Sequence, residues 1–269
     1  MIITLLILFG VAMLVSSVGW KKFVYFLSIG YGYSVAACAI AMIAMFYRTA
    51  TMDQMFLCLI LIAYGCRLGT FVMMREIKSA SYRKNLPELT KTSRPMTPGI
   101  KIAIWVSVAI LYVLEVCPVT FRMGNLAEGM EMSSLFGYIG FGIMAVALFI
   151  ESLADAQKSA AKKLNPDRFC DKGLYRIVRC PNYFGEVLFW TGCFVSGIGA
   201  YNSVWQWILA ALGYLSIVYI MFGGSRRLEL RQNKTYGNDP EYQAYVKKTP
   251  IILPLIPLYS VAKYKWLKG

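Results

Sequence analysis

The chain has 269 residues, 58% of them hydrophobic and only 16% charged, with a mean hydropathy of +0.53. That composition excludes an ordinary soluble domain and points to an integral membrane protein whose length is spent on spanning helices. Its formal charge of +14 sets orientation and attraction to anionic headgroups before it suggests nucleic acid.

Histidine is absent, which removes His-based triads, His zinc sites and any imidazole acid or base. Proton work is left to Tyr, Asp, Glu, Lys and Cys. The seven cysteines lie mostly in apolar runs without a C-x-x-C pair, so they read as free thiols, and no metal site is expected.

The first span covers 2–19, with no basic residue before it and Lys21 and Lys22 after it, as in a retained helix whose N-terminus lies outside. The second, 23–46, contains the cluster Gly30-Tyr31-Gly32-Tyr33-Ser34. Such a cluster lines a cavity or lets helices approach closely, and close packing is the first reading. Span three, 54–74, places Tyr64, Cys66 and Arg67 in apolar sequence. An intramembrane arginine faces a polar cavity or a partner, or snorkels to the interface.

The stretch 75–101 is a basic, proline-bearing loop, followed by span four at 102–121 and an outer loop holding Arg122, Glu128 and Glu131. Span five, 135–153, ends near Asp155. A polar and basic segment, 165–190, then runs into span six at 185–199, and span seven follows at 204–222. In the basic tail, 251–259 is apolar but broken by Pro254 and Pro257, so it reads as interfacial.

Seven spans with an outer N-terminus put 25 of the 28 Lys and Arg on the inner side, against Arg48 and Arg122 outside. This matches the positive-inside rule and places the 165–190 segment and the tail on the cytoplasmic face. The fold expected is all-α: one domain in which helices of 1–150 form a substrate cavity and 151–269 binds a cofactor. No G-x-G-x-x-G or P-loop is present, so no Rossmann or Walker device holds a nucleotide.

On the inner face, Lys162, Lys163, Arg168, Lys172, Arg176 and Arg179, with Arg226, Arg227 and Arg231, form either a solvated collar at the headgroups or a polyanion site. Asp155, Glu186 and Glu229 among them favour a ligand that carries both phosphates and hydrogen-bond donors. Within six residues, Pro181-Asn182-Tyr183-Phe184-Gly185-Glu186 supplies a turn, an amide, an aromatic ring and an acid.

The order N-P-x-x-F-C-x-x-G-L-Y-R-x-x-R-C-P-N-Y-F-G-E, then an apolar span, then Y-G-N-D-P-E-Y-Q-A-Y-V-K-K-T-P, resembles the C-terminal domain of the steroid 5α-reductase family, notably its bacterial branch. The likeness covers about 151–258, and in the N-terminal half only the A-Y-G-C-R-L-G-T-F-V segment of span three shares it.

What the resemblance implies is an NADPH-dependent membrane reductase that transfers a hydride to the C=C of an apolar enone such as a 3-oxo-Δ4 steroid. Its cofactor groups fall on Asp155, Arg168, Arg176, Arg179, Asn182, Tyr183, Glu186 and Trp190, with Arg227, Arg231 and Tyr236 in the tail. Tyr64 and Glu186 are the catalytic candidates. Many relatives carry His where this chain has Cys180, and span two offers no clear acid or amide partner for Tyr64.

The substrate would enter from the bilayer, and the protein would sit in the inner membrane if bacterial or the endoplasmic reticulum if eukaryotic. The turn also resembles S-adenosylmethionine-dependent membrane methyltransferases of the isoprenylcysteine and phospholipid type. A non-enzymatic lipid-binding protein is the third reading.

Overall fold

The apolar runs fold as helices because in lipid every backbone N–H and C=O must be satisfied within its own segment. A computed structural model describes residues 1–78 and 97–267, so the expected loop cations Arg83, Lys84, Lys91 and Arg94 lie outside the described residues. Among the described residues there is no strand, and eight α-helices follow one another. They are α1 (Ile2–Ser16), α2 (Ile29–Phe46), α3 (Met52–Lys78), α4 (Pro98–Ala127), α5 (Leu135–Leu164), α6 (Pro181–Ser196), α7 (Val204–Tyr236) and α8 (Pro240–Lys248).

Six of the helical stretches, those of α1–α5 and α7, are long and apolar enough to cross a membrane. The expected span 185–199 is α6, whose 16 residues reach about 24 Å, short of the roughly 30 Å hydrocarbon core. The expected second span begins instead as a 3₁₀ turn (Phe23–Leu27), and α2 proper starts after the break at Ser28. α5 outruns its apolar segment by about three turns and α7 by about four. Hydropathy marks only the length that meets lipid, whereas the following Ala, Gln, Lys, Leu, Glu and Arg residues are good helix formers and carry the helix on.

The chain divides into two compact units, one of Met1–Phe141 with Cys193–Gly213, the other of Gly142–Gly192 with Tyr214–Gly269. The division falls inside α5, α6 and α7.

In the first unit α2 packs mainly on α3, and also on α1 and α4. Backbones touch at the α2–α3 crossing: a Cβ on Gly32 would stand 2.7 Å from the Gly65 carbonyl oxygen and from the Gly69 nitrogen. Gly65 and Gly69 are the small-xxx-small pair that permits this approach, so the glycine cluster of span two is a packing device. Pro118 lies within α4 and has no N–H to give the Leu114 carbonyl. α7 approaches at that carbonyl, where a Cβ on Gly213 would come within 2.3 Å.

Arg122 corrects an expectation. α4 continues to Ala127, and Arg122 lies inside it, 1% exposed, rather than in an outer loop. Its Nε donates to Asp53 Oδ2 at 2.7 Å, Nη1 to the Ser196 carbonyl at 3.1 Å and Nη2 to the Ser133 carbonyl at 2.5 Å. Beside it Gln54 donates to the Arg122 carbonyl, and Asn125 and Gln206 exchange hydrogen bonds. A charge that looked like a loop residue is thus the hub that holds four segments together.

In the second unit α8 starts where the sequence says it should, with Asp239 capping the Glu241 amide at 2.8 Å and Pro240 in the first turn. The tail beyond it packs Ile251, Ile252, Val261 and Leu267 around Cys180. Backbone bonds from Arg179 and Cys180 to the carbonyls of Pro250 and Ile251 fix it there.

Candidate functional site

Two constellations among the described residues bear on the expected chemistry, one in each unit. In the first, the α2–α3 glycine contact brings Tyr31 and Tyr64 together. Tyr64 is fully buried, and its hydroxyl donates to that of Tyr31 at 3.0 Å. The Tyr31 ring lies 5.2 Å from that of Tyr112 on α4, whose hydroxyl donates to the Phe26 carbonyl. Span two therefore supplies Tyr64 with a phenol where an acid or amide was sought. Reading carboxylates and amides alone missed it, although Tyr31 lies within the same glycine cluster.

Arg67, one turn beyond Tyr64 on α3, sets its guanidinium 5.6 Å from the Phe71 ring centroid. Glu115 is a buried acid of this unit one turn from Tyr112 on α4, and Glu76, which accepts from Lys22 and Tyr25, is another.

The second unit holds a cavity of about 200 Å³. Lys158 and Lys162, one turn apart on α5, face it, as do Arg231, Gln232, Thr235 and Tyr236 of α7 and Phe169, Cys170 and Tyr175 of the connecting segment. Lys162 is held in place by donating to the Pro166 and Arg168 carbonyls, both at 2.7 Å, and to the Tyr236 hydroxyl at 2.9 Å. Three cations and three aromatic rings around one hollow are suited to phosphate oxygens and a planar group.

Burial raises the Cys170 thiol, opposed by the Lys172 backbone hydrogen bond and the Lys158 charge. Burial also raises the Tyr175 phenol, and the nearby Asp155 charge adds to it. Both groups therefore stay neutral among these cations at ordinary pH.

The sequence candidates are distributed unevenly about this cavity. Arg231 and Tyr236 line it, together with Lys158, Gln232 and Thr235, which the sequence reading did not single out. The i, i+4 spacing of Lys158 with Lys162 and of Arg231 with Thr235 was the available signal. Arg168 is instead a surface clasp, donating to Glu241 at 2.5 Å and to Asp171 at 3.0 Å. Arg176 and Arg227 are exposed.

Arg179 is buried and donates through Nη2 to Glu229 at 2.8 Å and to the Tyr259 carbonyl. Among the described residues its Nε and Nη1 have no hydrogen-bond partner, and neither does the buried Oδ1 of Asn182. Lys158 and Arg179 both lie within electrostatic reach of the Cys180 thiol, which burial pushes up to about 11 against their opposing charges.

On α6, Glu186 is buried and accepts from Trp190 Nε1 at 3.0 Å. The hydroxyl end of the Tyr183 ring lies against Gly224 of α7, where a Cβ would stand 3.5 Å from it. At Gly185 the helix lies so close to Glu151 that a Cβ would come within 2.5 Å of that side chain.

Fold and site together define a multi-pass helical membrane protein with a buried tyrosine pair and a cationic, aromatic-walled cavity. Residues 16–249 match a protein family described as one of unknown function, DUF1295, and the chain belongs to that family. No curated protein and no solved structure matches the chain.

Proposed function

We propose that this protein is an NADPH-dependent membrane reductase of the steroid 5α-reductase type, acting on the C=C of an apolar enone such as a 3-oxo-Δ4 steroid. The observation that carries the reading is the cavity of the second unit, where Lys158, Lys162 and Arg231 converge among aromatic rings. Asn182 Oδ1 and the Arg179 Nε and Nη1 fit the same ligand: buried and without partners among the described residues, they suit one that carries amide donors and phosphate or carbonyl acceptors.

When bound, NADPH supplies the reducing equivalent. The chain's own residues bind and orient. Lys158, Lys162 and Arg231 neutralise phosphates, Tyr236 and Phe169 offer faces to a planar group, and Glu186 with Asn182 holds an amide. In the first unit Tyr64 and Tyr31 hold a proton against the substrate carbonyl. A phenol that already exchanges a hydrogen bond with a second phenol is polarised by it, and this favours the oxygen on which negative charge develops. Water exclusion follows from burial of the pair.

Orientation belongs to the same reading. α6 with its flanks makes a seventh crossing, the N-terminus lies outside, and cavity and tail face the cytoplasm. The inner membrane of a bacterium or the endoplasmic reticulum of a eukaryote would hold it so.

The test is a thermal-stability titration of the detergent-purified protein with NADPH, NADH and S-adenosylmethionine, since a ligand bound only by the native state raises the melting temperature. NADPH should stabilise it, and S-adenosylmethionine should not. The opposite pattern would make the protein a methyltransferase, and silence from all three would leave the cavity without a nucleotide role. With a 3-oxo-Δ4 steroid as acceptor, Tyr64→Phe should lower turnover about a hundredfold, of the order of one lost oxyanion donor, while the NADPH titration stays unchanged.

A further inference from the structure

The C-terminal tail returns along α7 in a direction that hydropathy does not show. Val261 N–H donates to Glu229 Oε2 at 2.9 Å, Arg226 Nε donates to the Ala262 carbonyl at 3.2 Å, and Tyr219 hydroxyl donates to the Trp266 carbonyl at 2.8 Å. As the tail advances from 261 to 266, its partners on α7 retreat from 229 to 219. The two run antiparallel, and the tail heads back toward the apolar part of the helix.

Depth follows from arithmetic on α7. Its apolar run ends at Phe222, and the first charge after it is Arg226. Tyr219 precedes Arg226 by seven residues, about 10 Å along the axis. The Trp266 ring stacks on Tyr219 at 6.1 Å between centroids. It therefore lies about two turns to the apolar side of the first arginine, at the level where a bilayer passes from headgroups to hydrocarbon.

The side chains match that level. Val261 and Leu267 turn into the protein around Cys180, while Trp266 is left 64% exposed and Leu255, in the same tail, 95% exposed. Ile256 and Tyr259 are also exposed. Lys263 and Lys265 are exposed between these groups, Lys263 reaching over the Tyr264 ring at 5.2 Å. An exposed indole at that level with lysines beside it is the arrangement that amphipathic segments present to an anionic leaflet.

We propose that residues 251–267 form an interfacial anchor seated in a leaflet containing anionic phospholipid, with Trp266 at the headgroup–hydrocarbon boundary and Lys263 and Lys265 on the phosphates. This anchor is independent of the cofactor reading, since neither Trp266 nor the two lysines line the cavity.

The experiment uses the full chain in nanodiscs. Trp266 emission is taken as the difference between wild type and Trp266→Phe, which separates it from the other five tryptophans. Phosphatidylcholine brominated near the ester should quench that difference signal more than lipid brominated near the acyl end. Equal quenching by both, or none by either, would overturn the placement. A second arm titrates phosphatidylglycerol into phosphatidylcholine and follows the melting temperature. Wild type should be stabilised, and K263Q/K265Q should require more phosphatidylglycerol for the same rise, about fivefold for each lysine removed. An identical response of both proteins, or none in wild type, would overturn the headgroup contact. The melting temperature of the variant in pure phosphatidylcholine reports whether it remains folded.

Discussion

Arg122 and Arg179 are both buried and both meet a carboxylate, at 2.7 and 2.8 Å respectively, yet their surroundings differ. Every guanidinium nitrogen of Arg122 donates to the protein, to Asp53 and to the Ser196 and Ser133 carbonyls. Arg179 donates through Nη2 to Glu229 and the Tyr259 carbonyl and has the Tyr242 phenol beside it, while its Nε and Nη1 make no hydrogen bond among the described residues. Leaving a buried donor unmatched costs about 1–3 kcal/mol, so a fold tolerates it where something else is gained. The first pair is a closed structural staple, and the second keeps two guanidinium nitrogens unmatched.

The largest effect should come from breaking the staple. Arg122→Ala strands Asp53 and two carbonyls in a dry interior and should cost about 3–5 kcal/mol of stability, read by denaturant unfolding in detergent. A cost near that of an exposed arginine would show that the network does not hold the helices.

Removing both partners sharpens the contrast. Arg179→Met with Glu229→Gln leaves no lone charge and keeps an acceptor for the Val261 amide, so that only the Tyr259 carbonyl loses its donor; the double variant should stay within about 2 kcal/mol of wild type while losing most of its stabilisation by NADPH. Arg122→Met with Asp53→Leu still orphans the carbonyls and should remain clearly weaker. Equal losses in the two doubles would erase the distinction.

Cavity residues come next. Lys162→Ala or Arg231→Ala should weaken NADPH binding about tenfold, as for one charge-assisted phosphate contact, and should flatten its dependence on salt. Lys163→Ala, outside the lining, serves as the control.

The smallest effect is a pH dependence. Burial moves the Cys180 thiol from 9.0 to about 11. The unfolded chain releases that proton first, so above pH 9 the unfolded state binds fewer protons, and stability falls as pH rises toward 11. Thermal unfolding across that range should show the decline, with a shallower slope in Cys180→Ala. An unchanged slope would assign the decline to other groups, such as Tyr242, which burial raises to about 12.

Hydropathy found the apolar core of each spanning helix, because lipid imposes one rule on every residue that it touches. It placed helix ends poorly. The polar continuations of α5 and α7 leave the lipid and obey propensity instead, and they carry Lys158, Lys162 and Arg231 to the cavity. The site was legible by residue type and not by pairing. A sequence shows that Arg168, Arg179 and Arg231 are basic, but tertiary packing decides that the first clasps Glu241, the second meets Glu229 and the third faces a hollow. Arg122 shows the same limit, since only the fold reveals that it meets a carboxylate 69 residues away.

The glycine contact between α2 and α3 also constrains how this half of the protein can change. Backbones that touch at Gly32 and Gly65 have no side chains to absorb a shift, and Tyr31 and Tyr64 each sit one residue from that point. Inserting a single residue into α3 between the two contact glycines, Gly65 and Gly69, would rotate one against the other by about 100° and leave only one of them facing α2. Insertions and deletions are therefore excluded from this crossing, and variation there is confined to swaps on the outward faces, such as that of the exposed Cys66.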